Sequence, residues 1–208
     1  NIMYDEVFRL PFPTDVHIVG FADDIALVIV AKLVSDIEVK ANTAIATVTN
    51  WLDSVGLSIA AEKTEAVLIS TRKKPEIASF SIGTHKFKSS RQLKYLGVII
   101  DDRLSFGPHA EYVTHKASRM FSALSRMLPN VGGPRSSKRR LLSSVIACTL
   151  LYAAPVWAKS LKVKAYRRPY EAIYRLCALR VISAYKTTSD EAAMVIAGMI
   201  PIDILAEE

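Results

Sequence analysis

Cysteine is almost absent, with Cys148 and Cys177 the two in 208 residues. That excludes a disulfide scaffold and a four-ligand zinc site, and both cysteines fall in helical, apolar surroundings. His17, His85, His109 and His115 lack metal-ligand spacing, apart from a loose pair at 109 and 115, and all four read as ordinary residues. Eight glycines and nine prolines are too few for wholesale disorder, and internal repeats and low-complexity tracts are absent. No N-terminal signal peptide is visible. Long apolar runs are scarce as well. The uncharged stretch LLSSVIACTLLYAAPVWA at 141–158 carries Ser143, Ser144, Thr149 and Pro155, with basic residues at both ends. It reads as a buried helix, not a membrane span.

Half of the residues are hydrophobic, enough at this length for one domain or two small ones. Asn1, not a methionine, leads the chain, so the sequence is expected to be a piece of something longer. The formal net charge is +7 and unevenly spread. Acids outnumber bases up to Ala60, whereas TRKK at 71–74, RSSKRR at 135–140 and KSLKVKAYRR at 159–168 make the rest basic. A basic face beside a small acidic site suits a protein that grips a polyanion and does metal chemistry on it. Scattered lysines that keep a chain soluble are the plainer reading of the same composition.

VHIVGFADDIALVIV reads as strand, tight turn, strand, with both arms buried on both faces and the aspartates at the turn. Ser35 with Glu38 makes a capping-box pattern for a helix whose apolar face carries Ile37, Ala41, Ala44, Ile45, Val48, Trp51, Leu52 and Val55. Gly56 supplies its stop. Val67, Leu68 and Ile69 predict a strand, FSIGTHKF a hairpin around Gly83, and LKYLGVIID a further strand. A helix packed on a mainly antiparallel sheet follows, an α+β arrangement. Beyond Asp102 the pattern turns helical: Val113, Ala117, Met120, Phe121, Leu124 and Leu128 recur at helical spacing. PNVGGP at 129–134 is a break, and helical patterns follow at 136–154, 166–182 and 189–198. The boundary is expected between residues 102 and 103.

Asp23 and Asp24 stand together in an otherwise apolar stretch. Two hard oxygen ligands at a turn suit Mg²⁺, which binds through one or two carboxylates plus waters and phosphates. A bound cation also supplies the partner that buried carboxylates need. Against this, aspartate favours turn conformations, so exposed Asp-Asp turns are common without any metal.

The aromatic-Ala-Asp-Asp hairpin at 21–24 resembles the catalytic C motif of reverse transcriptases. NIMYDEVFRLPFP at the start resembles the segment after the B motif in reverse transcriptases of non-LTR (LINE-type) retrotransposons. GLSIAAEKTEAVLIS at 56–70 resembles their D motif, and LKYLGVIID at 93–101 their E motif, or primer grip. IAGMIPIDILAEE resembles the end of the thumb-side region in Jockey-like lineages. The resemblance implies a partial polymerase palm over 1–102 and an all-helical thumb or connection region over 103–208.

It also implies roles. Asp23 would coordinate catalytic Mg²⁺, with Mn²⁺ as a substitute, and Asp24 would support the site; two-metal nucleotidyl transfer onto a primer 3′ end would follow. Phe21 takes the aromatic position near the primer end, and Ala22 lets the substrate backbone approach. Lys63 aligns with the motif D lysine, a candidate general acid for pyrophosphate, or else a solvated lysine. Tyr95, Leu96 and Gly97 would form the primer grip, or plain strand packing. Arg139 and Arg140 in RSSKRR would meet phosphates. Tyr166, Tyr170 and Tyr174, interleaved with arginines, read as packing with snorkelling arginines. The implied partners are an RNA template, a DNA primer, dNTP and the missing N-terminal palm and fingers of the same polyprotein, with no membrane and a nuclear site of action. The A-motif aspartate lies upstream, so this fragment alone is expected to be inactive. Open alternatives are a viral-type RNA polymerase, whose doublet usually follows glycine where Ala22 stands, a degenerate nucleic-acid-binding remnant, and a helical interaction protein with an accidental doublet.

Overall fold

A computed structural model describes residues 5–72 and 76–207. Lys73 and Lys74 of the TRKK run, residues 1–4 of the segment after the B motif, and Glu208 lie outside the described residues. The chain divides into two compact units, Asn1–Leu93 and Lys94–Glu208. Secondary-structure type changes after residue 102, but packing divides the chain earlier, for a reason given below.

In the first unit, β1 (Val16–Phe21) and β2 (Asp24–Ile29) pair antiparallel, with Val16 opposite Ile29 and Phe21 opposite Asp24. Helix α1 (Val34–Ser54) follows and buries Ala41, Ala44, Val48 and Leu52. Val48 and Leu52 meet Val7, Ile18, Ile25 and Leu27, each fully buried aliphatic side chain contributing about 1.5–3 kcal/mol. Ala41 packs with Ala78 and Phe80. Gly56, at φ +77°, ends the helix, and Leu57 N–H bonds back to Leu52 O at 2.9 Å. β3 (Ser79–Ile82) and β4 (His85–Lys88) form the hairpin around Gly83.

Several expectations need correction here. The β1–β2 arms are not buried on both faces: α1 covers the face of Ile18, Ile25 and Leu27, while Val19, Phe21, Val28 and Val30 are exposed. The capping box does not form. The helix starts at Val34, one residue before Ser35, and no side chain caps it. Glu38 instead accepts the Ser79 N–H at 2.6 Å, and Asn42 Oδ1 accepts the Ser81 N–H at 2.9 Å. A carboxylate within reach of unpaired strand amides does more there than at a helix start. Residues 67–69 make no strand, only a single bridge from Val67 to Ser90, because β3 and β4 satisfy one another.

In the second unit, LKYLGVIID is two strands, not one. β5 (Gln92–Tyr95) turns at Leu96 and Gly97 into β6 (Val98–Asp101), and the unit boundary falls inside β5. β6 packs on α2 (Gly107–Ser125), which is why the compact unit begins before the helices do. The three strand pairs are separate two-stranded sheets, so the α+β fold class stands without one continuous sheet.

After α2 come α3 (Ser136–Leu150), α4 (Ala154–Trp157), a 3-10 turn at Ala158–Lys162, α5 (Lys164–Ile182), α6 (Asp190–Ala197) and α7 (Ile202–Glu207). Their shared core holds Ala117, Ile146, Leu150, Trp157, Tyr170, Tyr174 and Cys177. Tyr170 and Tyr174 are packing residues, as the stripe suggests. The 141–158 stretch is not one buried helix: Ala153, left-handed at φ +55°, and Pro155 break it, and Leu141, Val145, Tyr152 and Val156 are exposed. Cys148 is exposed and Cys177 buried. Among the described residues no single helix is long and apolar enough to cross a membrane, and α3 meets Ala154–Lys162 at a 47° bend.

Candidate functional site

The doublet sits where a two-residue loop must be tight. Phe21 and Asp24 close the β1–β2 ladder, leaving Ala22 and Asp23 as the turn. Ala22 has φ +54°, the first-position geometry of a II′ turn that glycine fills more easily. Behind it the Phe8 ring lies on Gly20, where a Cβ would come within 2.4 Å of that ring. Asp23 is therefore at the tip, and Asp24, cross-strand from Phe21, shares its outer face with Val19 and Val28.

Both aspartates are exposed, and neither carboxylate makes a hydrogen bond or ion pair among the described residues. Other acids are committed: Asp15 to Lys40, Asp190 to Arg175, and Asp101 to backbone amides. Phe21 is 63% exposed beside the turn. Hard carboxylate oxygens with free lone pairs match Mg²⁺ in donor type. In number they are short, since no cluster of three or more His, Cys, Asp or Glu is placed to hold a metal among the described residues.

Lys63 ends a 3-10 turn at Ala61–Lys63, exposed and without an ion pair among the described residues. Leu96 and Gly97 occupy the β5–β6 turn with φ +45° and +83°, positive at both central positions, the I′ pattern. The Tyr95 hydroxyl is enclosed and finds no hydrogen-bond partner among the described residues.

The two arginines have other employment. Arg139 is 3% exposed and donates to four carbonyls: Pro134 at 2.7 Å, Pro129 at 2.6 Å, Arg180 at 3.2 Å and Leu128 at 3.5 Å. The 128–134 loop turns its carbonyls inward, and a guanidinium can answer several at once. Arg140 is exposed, but its Nη2 donates to Gly198 O at 2.5 Å, bracing the end of α6.

Around the β5–β6 hairpin, Asp101, Tyr152, Lys94 and Tyr112 were given no role in the sequence, and His109 was read as an ordinary residue. Asp101 accepts N–H bonds from Arg103 at 3.3 Å, Ser105 at 3.0 Å and Phe106 at 2.7 Å, and the Ser105 hydroxyl at 2.9 Å. Burial pushes its carboxyl up, but these bonds together hold it below the usual range. His109, fully buried against Trp157, accepts the Ile99 N–H on Nδ1 at 3.2 Å, and burial lowers its pKa. Tyr152 donates its hydroxyl to Leu96 O at 3.0 Å. Lys94 donates to the Tyr112 hydroxyl at 2.9 Å, which holds that phenol below its usual value. An aspartate a few residues before a helix, with Ser105 four positions on, was the available signal, in DDRLSFG at 101–107.

Residues 1–100 match the family described as Reverse transcriptase (RNA-dependent DNA polymerase). The first hundred residues are thus similar to a reverse transcriptase segment. Over 195 residues it is 27% identical to the Retrovirus-related Pol polyprotein from type-1 retrotransposable element R1 2 of Nasonia vitripennis, covering 91% of this chain and 48% of that polyprotein. The 115 kDa protein of element R1DM of Drosophila melanogaster is 26% identical over 192 residues, 90% of this chain and 18% of that protein. The R1 Pol polyprotein of Bradysia coprophila is 25% identical over 193 residues, 91% of this chain and 19% of its own length. Over about nine-tenths of its length, the chain resembles the proteins of type-1 (R1) retrotransposable elements. It spans about half the length of the first relative, at 48%. No solved structure matches it significantly.

Proposed function

We propose that the chain supplies the metal-binding turn and the primer-facing hairpin of an RNA-directed DNA polymerase, within a larger retrotransposon polyprotein. The observation that carries this reading is the pair of uncommitted carboxylates, Asp23 and Asp24, on a two-residue turn inside the matched region.

Asp23 and Asp24 would hold Mg²⁺, with Mn²⁺ as a substitute, completed by groups outside the described residues. Divalent ions bound there supply charge stabilisation to the attacking and leaving oxygens of nucleotidyl transfer. The exposed Phe21 ring offers an apolar plane beside the carboxylates, and the Ala22 methyl leaves room for a sugar-phosphate backbone. Lys63, exposed and without an ion pair among the described residues, is the candidate proton donor to departing pyrophosphate, a role worth about 10²–10⁴-fold. The Tyr95–Gly97 turn bears on the primer strand. Arg139 is left out of this assignment, since its N–H groups are spent internally. RNA template, DNA primer and dNTP are the partners, together with the rest of the polyprotein, and the site of action is nuclear.

Primer extension on an RNA template tests this. The whole polyprotein extends the primer, Asp23→Asn lowers the rate about a thousandfold or more, and the 208-residue chain alone is inactive. An Asp23→Asn enzyme at the wild-type rate overturns the assignment, and a wild-type polyprotein that binds template but never extends it is a degenerate remnant.

A further inference from the structure

The β5–β6 turn is built from the wrong residue for its shape. With φ positive at both Leu96 and Gly97, it wants asparagine or glycine first, and Leu96 at φ +45° is sterically disfavoured. Such a conformation persists when its surroundings over-determine it.

Tyr152 is the neighbour that does so. Its hydroxyl donates to Leu96 O at 3.0 Å, and its ring lies against Gly97, where a Cβ would come within 3.0 Å of Cε1. Tyr152 is itself held from behind. The indole N–H of Trp157, 1% exposed, donates to Tyr152 O at 2.8 Å, and left-handed Ala153 ends the helical run so that the ring projects. A chain of contacts thus runs from the buried Trp157–Tyr170 stack, 5.2 Å between centroids, to the tip of the hairpin.

We propose that Tyr152 is a positioning residue for the primer 3′ end, acting through the Leu96–Gly97 turn. This rests on the reading of that turn as the primer-facing element. Without the hydroxyl, Leu96 loses its hold on the left-handed conformation, the turn relaxes, and the primer terminus sits less well against the incoming nucleotide. Overall template–primer affinity, set by backbone charge elsewhere, is unaffected.

The test uses the whole polyprotein with Tyr152→Phe, Gly97→Ala and the double variant. Measured together are kcat and KM for dNTP on matched and terminally mismatched primers, template–primer Kd and melting temperature. Tyr152→Phe keeps the ring and is expected to lower kcat on matched primers roughly three- to tenfold, with KM and Kd within about twofold and melting little changed. The matched-to-mismatched ratio narrows. Gly97→Ala gives the same signature, and the double variant is no worse than the more damaging single change. If Gly97→Ala impairs matched-primer use and Tyr152→Phe does not, Tyr152 has no positioning role while the primer-facing reading stands. If neither variant changes extension, that reading falls and the proposal with it. If Tyr152→Phe lowers activity equally on every primer in step with melting, the residue is a general stabiliser and the proposal is overturned.

Discussion

His109 Nδ1 accepts the backbone N–H of Ile99 at 3.2 Å, fastening β6 to α2 from inside the core. To accept on Nδ1 the ring must be neutral, and burial favours that state. Its folded pKa is depressed below 6.5, so as pH falls the unfolded chain takes up a proton first. The associated stability is present above about pH 6.5 and is lost as pH falls through the folded value. Thermal melting of the chain should therefore drop between about pH 7 and pH 5, and His109→Gln should flatten that slope. A slope unchanged by the substitution would remove His109 from the account.

Glu38 ties α1 to β3 through the Ser79 amide at 2.6 Å. Glu38→Ala is expected to destabilise the first unit by about 1 kcal/mol, and Glu38→Gln by less. Hydrogen exchange gives the direct reading. The Ser79 amide should lose protection while the amides of β1 keep theirs, and uniform loss across both hairpins would argue against a local tie.

Arg139 is the one donor shared by the Leu128, Pro129 and Pro134 carbonyls. Arg139→Met removes it and takes that donor from the Pro129 and Pro134 carbonyls, while Leu128 O keeps Arg180 at 3.2 Å, at a cost of about 2–4 kcal/mol. Arg139→Lys recovers little, because an ammonium cannot reproduce the planar fork. If Arg139→Met instead melts like the wild type and weakens template–primer binding, the side chain faces nucleic acid after all.

The periodic face of α1, its glycine stop, and the hairpins at Asp23 and Gly83 were legible, because local spacing and turn chemistry decide them. What failed depended on distant partners. Glu38 looked like half of a capping box, but a strand amide forty-one residues on claims it. Leu96 carries no turn signature, since Tyr152 and not its own side chain sustains the bend. Arg139 sits in a basic run that reads as a solvated face. The Pro- and Gly-rich loop just before it, with carbonyls in need of donors, was the readable clue. Residue order also says nothing of which strand face a helix covers, so the open side of Val19, Phe21 and Val28 was missed.

Magnesium dependence of the doublet is the most direct test of the whole account. Initial primer-extension rates of the polyprotein, wild type and Asp24→Asn, are followed against Mg²⁺ concentration. The account predicts that the half-saturating concentration of the variant rises about 10- to 100-fold, or that no concentration restores the rate. Superimposable curves would contradict it.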